Sequence, residues 1–382
     1  MKKTKGNSLI AVIIVVLIIS IIAVIGFIIY KSAIEEDKQV NANNEFGEEL
    51  TNNSTEEINE IIEENNTQNE VIVPIIDPNQ NVENEELPLI SNTFYYNQLN
   101  SYGKKIYDKL KKDKSKLITG NYVFDFQSEF SVLLHEENGE KLLGEAFQSA
   151  WNAFSYDNTD LFYIDINKMT LTTESRTIAG ITTYYNTIGP GENANYLRDN
   201  FQEEYKIVEA QEYIDNIIRQ IKEQTASDSD VEKARKVQNW LISIIDYDDS
   251  ESAVNKHNIY GALRERRAVC EGYARTFKYI MEKISVPCIL VSGTGTNSEG
   301  QIESHAWNYI QIQIDFKWYA VDVTWNDPII LGNGNLTNEM KYKYFLNGSD
   351  KFFENHTEDG IISENSMKFT YPTISTSNYP GY

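Results

Sequence analysis

Three residue types that do covalent chemistry together occur in order in the second half of the chain: Cys270, His305 and Asp322. Cys270 sits in "AVCEGYARTF" and is one of only two cysteines in 382 residues. A free thiol has a pKa of about 8.5, so at neutral pH it is mostly protonated and a poor nucleophile. A helix N-terminus and a neighbouring imidazolium both favour the thiolate. A histidine moves the proton, and a carboxylate on its other ring nitrogen fixes tautomer and orientation. Backbone amides at a helix start can stabilise an oxyanion. The order and types of these residues point to nucleophilic thiol catalysis.

The elements that must position them are legible as patterns. Tyr273, Phe277, Ile280, Met281 and Ile284 fall on one helical face, predicting a helix from near Cys270 to before Pro287. Gly272 and Ala274 are small, which predicts close packing of this helix on a sheet. "CILVSGTG" reads as a buried strand running into a Gly-rich loop. "SHAWNYIQIQIDFKWYAVDVTWNDP" reads as a β-hairpin about Asp315, with His305 at its start and Asp322 on the return strand. Two registers are open. A tight turn at Asp315–Phe316 sets Asp322 opposite Tyr309; a turn shifted toward Gln313–Ile314, or a bulge, sets it opposite His305.

Upstream, residues 94–118 and 137–155 read as helices, the second with Leu142, Leu143, Ala146, Ala150 and Phe154 at helical spacing. "DLFYIDINKMTLTTES" alternates like a strand or two, and residues 193–225 predict at least one long surface helix. Ser227 or Asp228 is the expected N-cap of a further helix that buries Val231, Ala234, Val237, Leu241 and Ile244. No internal repeat is present.

Competing readings of the same residues are weaker. Cys270 and Cys288 would lie roughly 25 Å apart at the two ends of the helix, whereas a disulfide needs Cα atoms within about 7 Å. Cys288 reads as a buried strand residue. His135, His257 and His356 read as surface or packing residues, with His356 the one that could also line the site. The histidines and cysteines make no zinc spacing and the acids no calcium loop, so no metal and no cofactor are expected. Trp307, Trp318 and Trp325 read as packing residues, and Asp327 as a turn residue before Pro328 that could stand in for Asp322.

The stretch resembles the transglutaminase-like superfamily, with its circularly arranged papain-type core, and looks like the bacterial, membrane-anchored branch. The matching segments are "YGALRERRAVCEGYARTFKYIMEKISVPC", "SHAWNYIQI" and "WYAVDVTWNDP". The close match covers residues 259–328; a looser one reaches back to "KVQNWLISIIDYD" and forward to "YFLNGSDKFFENH". The resemblance implies Cys270 as nucleophile, His305 as general base and acid, and Asp322 as the orienting carboxylate. Two features depart from the family: a hairpin about two residues longer than usual, and Phe316 where a Gly often sits. Relatives include protein cross-linkers, peptidases, amidases and members that only bind. The active ones share attack of a thiolate on an amide carbonyl to form an acyl-enzyme.

The rest of the chain bears on location. Leu9 to Tyr30 runs 22 residues without a charge, roughly 33 Å as a helix and enough to cross a ~30 Å hydrocarbon core. Lys2, Lys3 and Lys5 precede it and acids follow Lys31, so the positive-inside rule predicts a cytoplasmic stub at 1–8, a transmembrane helix at 9–30 and everything beyond outside. Residues 31–90 carry 16 acids against two lysines, and 31–92 read as a disordered acidic linker. A net charge of −23 argues against nucleic acid as partner. The expected fold class is α+β: a papain/transglutaminase-like core at 191–378, with the catalytic Cys at a helix N-terminus on an antiparallel sheet, preceded by a mostly helical region at 93–190. The expected partner is a peptide or protein substrate of the cell envelope. The alternatives are a binding or scaffolding module on the same fold, and a partner-binding platform in 94–225.

Overall fold

The computed structural model describes residues 93–329 and 335–382. The expected stub, transmembrane helix and acidic linker all lie outside the described residues. Among the described residues, no helix is long and apolar enough to cross a membrane.

The chain opens with helix α1 (Ser101–Lys112), capped by Asn100, whose side chain accepts from the Gly103 amide at 2.8 Å. Strand β1 (Phe124–Asp125) and helix α2 (Gly139–Asp157) follow. A β-hairpin, β2 (Thr170–Ile178) and β3 (Ile181–Gly189), then completes a three-stranded antiparallel sheet in the order β1-β3-β2. Region 93–190, expected as mostly helical, carries this sheet beside its helices. Only the first of the two hairpin strands overlaps the segment that alternates in sequence. Buried side chains tie the region to the rest of the chain. Tyr95 donates from its hydroxyl to the Leu290 carbonyl, and Asn152 donates to Ser363 at 2.7 Å.

Helix α3 (Glu204–Gln224) and helix α4 (Asp230–Ile244) come next. The N-cap of α4 is Ser229, one or two residues beyond the expected Ser227 or Asp228. Ser229 and Glu232 bond each other's backbone amides in a capping box, which satisfies two of the helix's free donors at once. Strands β4 (Asp246–Tyr247) and β5 (Arg267–Ala268) form a short parallel pair that delivers the chain to helix α5 (Cys270–Lys283). Helix α5 buries Tyr273, Phe277, Ile280 and Met281, as the spacing predicts, and ends at Lys283; just beyond it Ser285 takes a left-handed φ of 64° two residues before Pro287.

A four-stranded antiparallel sheet receives α5: β6 (Cys288–Thr296), β7 (Ile302–Ile312), β8 (Lys317–Val321) and β9 (His356–Glu358), in the order β8-β7-β6-β9. Asn308 of β7, fully buried, donates to the Ala274 carbonyl of α5 at 2.9 Å and so pins helix to sheet. Strand β9 has no counterpart in the sequence reading. "CILVSGTG" does not end in a loop either. Gly293 and Gly295 stay in β6 because a Cβ at Gly293 would stand 2.1 Å from the Thr357 carbonyl oxygen, and one at Gly295 would stand 2.7 Å from the Trp325 ring.

The role expected of Gly272 also changes. A Cβ there would lie 2.3 Å from the Lys256 carbonyl oxygen and 2.8 Å from the Ala268 Cβ, so Gly272 makes room for the loop before β5 rather than for the sheet. That loop also holds the helix start, since the Val269 amide donates to the same Lys256 carbonyl at 3.0 Å. Gly272→Ala forces these backbones apart and is expected to cost about 1–3 kcal/mol of stability. A urea unfolding midpoint indistinguishable from that of the unmutated chain would disprove this close approach.

Candidate active site

Cys270 is the first residue of α5, behind the N-cap Val269, whose own side chain makes no cap hydrogen bond. The first amides of a helix have no intrahelical acceptor, so the turn presents free donors beside the sulfur. Cys270 is partly accessible, whereas Cys288 is buried; both are free thiols. The two cysteines are not a disulfide pair.

His305 lies on β7 and is 8% exposed; Asp322, one residue past β8, is 1% exposed. The hairpin register is neither of the two expected from sequence. Tyr309 pairs with Ala320 and Ile312 with Lys317, leaving a four-residue loop, Gln313 to Phe316. Continued by one residue, this register sets Asp322 across from Trp307, two residues along from His305 on the same face. That offset suffices, because the strand ends at Val321 and the chain turns there. His305 Nε2 and Asp322 Oδ2 are 2.7 Å apart. Phe316 closes the loop at φ 56°, a left-handed conformation that explains why a glycine suits this position.

With Nε2 engaged by Asp322, Nδ1 is the His305 nitrogen left over, and Cys270 stands close enough to the ring to favour its charged form. Burial alone would lower the His305 pKa. The Asp322 charge and hydrogen bond, followed by Cys270, outweigh it and raise it to about 10. Burial likewise opposes ionisation of Asp322, but the His305 charge and hydrogen bond hold its carboxyl well below the usual range.

Asp322 has a second histidine. His356, the first residue of β9 and 1% exposed, meets the same Oδ2 through Nε2 at 3.1 Å. Burial keeps its pKa below the ordinary value even though Asp322 pulls the other way. The carboxylate therefore faces one charged and one neutral imidazole, while Oδ1 accepts from the Trp325 amide at 3.1 Å. The Trp325 ring stacks on His305 with centroids 4.9 Å apart. Trp325, expected as a packing residue, and His356, expected as a packing residue that could also line the site, both belong to the site. Trp307 and Trp318 are buried in the core. Asp327 does not replace Asp322: it accepts from the Tyr273 hydroxyl at 2.7 Å, and burial pushes its carboxyl up to about 6. His135 is at the surface, its Nε2 2.9 Å from the Thr182 carbonyl oxygen, and His257 bonds Glu271.

Among the described residues, His305, Asp322 and His356 are the group whose ligand atoms converge closely enough for a metal, within 4.8 Å of one another. Ligand atoms on one tetrahedral zinc stand roughly 3.4 Å apart, given bonds of about 2.0–2.1 Å. Separations of 2.7 and 3.1 Å are instead those of hydrogen bonds. The trio fits a shared carboxylate better than an ion.

Cys270 and His305 open on a cavity of about 680 Å³, walled by Tyr247, Trp325, Tyr344 and Met340 and edged by Glu303, Glu354 and Asp327. Burial, then the proximity of Cys270, pushes the Tyr247 phenol up to about 12, so its hydroxyl stays a donor at neutral pH. The site thus offers a thiol, a protonated imidazole, a phenol and free helix amides around one space.

A titration of the histidine rings by NMR checks this electrostatic arrangement. His305 should keep its imidazolium shift until near pH 10, whereas His356 should turn neutral below 6.5. Asp322→Asn removes the charge that raises His305, and its midpoint should fall by several pH units. A His305 that titrates near 6.5 in the unmutated chain would sink the coupling.

Residues 215–323 match the family model of the transglutaminase-like superfamily. Two solved structures are similar in part. One is a TGase, 16% identical over 47% of this chain and 50% of that one, with a TM-score of 0.26. The other is the periplasmic domain of TgpA from Pseudomonas aeruginosa bound to ethylmercury, 13% identical over 42% of this chain and 66% of that one, with a TM-score of 0.24. The chain thus spans half the length of the TGase it matches. Among curated proteins, none matches the sequence. Cys270, His305 and Asp322 all fall within the stretch, residues 215–323, that matches the transglutaminase-like superfamily.

Proposed function

We propose that the protein is a thiol enzyme that attacks peptide or protein amide bonds through Cys270, His305 and Asp322. The observation that carries this reading is the buried Asp322–His305 hydrogen bond with Cys270, at the first turn of α5, beside the His305 ring. With His305 protonated at neutral pH, an imidazolium stands beside the Cys270 sulfur, a charge that favours the nucleophilic thiolate form. The thiolate adds to the amide carbonyl, and the oxyanion forms beside the free amides of α5 and the Tyr247 hydroxyl. His305 then gives its proton to the departing amine, leaving an acyl-enzyme. Neutral again, His305 removes a proton from the incoming water or amine, and the thiol ester is released. Asp322 stays ionised throughout and holds the ring, while His356 holds Asp322.

Hydrolysis yields a carboxylic acid and transfer to an amine yields a new amide; the same residues serve both. The apolar run at 9–30 with its lysine-rich leading flank supports a single-pass anchor with the catalytic part outside the cytoplasm, and a substrate in the cell envelope.

Iodoacetamide labelling followed by mass spectrometry tests the proposal. At pH 7, Cys270 should alkylate at least 10-fold faster than free cysteine, while Cys288, buried, should remain unlabelled in the folded chain. His305→Ala should abolish that advantage. In assays that pair an amide donor with water or a primary amine, Asp322→Asn should lower turnover by about 100-fold or more. Labelling of Cys270 no faster than free cysteine would favour the binding-module reading.

A further inference from the structure

Strand β2 (Thr170–Ile178) is nine residues long and forms one edge of the β1-β3-β2 sheet. Its hairpin turn, Ala179–Gly180, has φ of 51° and 82°, both left-handed, and Ile178 pairs with Ile181 across it. The outer edge of β3 is covered. The Asn186 amide donates to the Gln127 carbonyl at 3.0 Å, the Tyr184 amide donates to Ser131 Oγ at 3.0 Å, and His135 Nε2 stands 2.9 Å from the Thr182 carbonyl oxygen. In an antiparallel pair, residues opposite each other turn their backbone groups either toward each other or both away. Thr173, Ser175 and Thr177 lie opposite Asn186, Tyr184 and Thr182, so their amides and carbonyls point away from β3. Among the described residues, nothing bonds those groups.

A free edge of this length is a template for another strand. The β2 side chains choose which one. Apolar side chains stand only near its ends, at Leu171 and Ile178, so the middle of the strand offers charge instead. Its charges are Glu174 and Arg176, one residue either side of Ser175 and on the same face. Both are exposed, with the guanidinium 3.9 Å from the carboxylate and 4.7 Å from the centre of the Tyr185 ring. A second β2, antiparallel and centred on Ser175, sets each Glu174 directly across from the second copy's Arg176. Centring on Glu174 or on Arg176 sets like charges face to face. Centring on Thr173 or Thr177 sets each charge against an uncharged residue. Ser175 also carries outward backbone groups, so the register that matches the charges also forms the hydrogen-bond ladder.

We propose that the β2 edges of two copies of this chain pair antiparallel about Ser175, joining their three-stranded sheets into one. The two Glu174–Arg176 pairs are the recognition element and set charges of alternating sign across the seam. Opposite charges directly across an antiparallel pair stabilise it, and like charges destabilise it. The pairing is isologous, so each edge is used up by the other and the assembly closes as a dimer. A single strand pair is a small interface, which makes the dimer weak in solution. The proposal does not depend on the chemistry of Cys270.

Sedimentation equilibrium of the full-length chain in neutral detergent micelles tests it. The unmutated chain should show a monomer–dimer equilibrium. Glu174→Arg and Arg176→Glu should each weaken it by about 10-fold, since each turns two attractions into repulsions. An equimolar mixture of the two variants recreates both pairs and should form mixed dimers as tightly as the unmutated chain. The double reversal in one chain should self-associate likewise. In a Cys270→Ala chain, Ser175→Cys should cross-link two copies on mild oxidation. Ile178→Cys, at a position 76% exposed, should not, because its two copies would stand roughly 20 Å apart. Dimerisation through another surface would leave the affinity unchanged by either reversal, and capture of the edge by the chain's own residues would leave the protein monomeric. Either result overturns the pairing, as would a mixture that fails to recover affinity or an Ile178→Cys chain that cross-links as fast as Ser175→Cys.

Discussion

The carboxylate of Asp322 is the constraint on which the site is built. A buried negative charge persists only where its oxygens are hydrogen-bonded and a positive charge stands near. Here Oδ2 is shared by two imidazoles and Oδ1 takes the Trp325 amide. Each bond fixes a different part of the chain. His305 orients β7, the Trp325 amide sets the turn after β8, and His356 anchors β9 against β6. Loss of the charge would release all three, because two of the donors would lose an ionised acceptor and the third its turn.

The asymmetry between the two histidines follows from the same carboxylate. One negative charge can stabilise one imidazolium in a buried site; a second imidazolium would repel the first. His305 has two favourable partners, Asp322 and Cys270, and takes the charge. His356, buried among Phe352, Trp307 and Trp325, stays neutral. A proton can therefore move between His305 and Cys270 without changing the state of the group behind Asp322.

How much of this was legible depends on whether a residue's role is set by local period or by distant contact. The helix after Cys270 and the strands carrying His305 and leading to Asp322 show strong periods, because each buries one face along its length. The register between those strands did not follow from period, since it turns on a four-residue loop closed by a left-handed Phe316, which side-chain pattern does not report. Strand β9 is three residues long, too short for any period, so His356 reads as a residue that could line the site but not as a partner of Asp322. A signal was present in its partner: Gly293 and Gly295 within an apolar strand imply that something approaches closely. They read as a loop because glycine punctuates loops more often than it accommodates neighbours. The hairpin β2–β3 was half hidden for another reason. Strand β2 is exposed on both faces, so the alternation that marks a half-buried strand is weak there.

The chain's net charge of −23 suggests an environment hostile to a thiolate. Yet surface charges beyond about 8 Å are largely screened at physiological salt, while buried partners are not. The field at Cys270 is therefore set by the few groups the fold buries next to it. On one side of the helix start stands the His305 imidazolium, balanced by Asp322. On the other, Glu271, the next residue in the chain, is neutralised by Arg275 and hydrogen-bonded to His257, and so adds little negative potential at the sulfur. Arg275 is held by the Ser155 carbonyl from helix α2, so the neutrality of Glu271 depends on residues far upstream in sequence. The region before the superfamily match thus contributes to the electrostatics of the thiol without touching it.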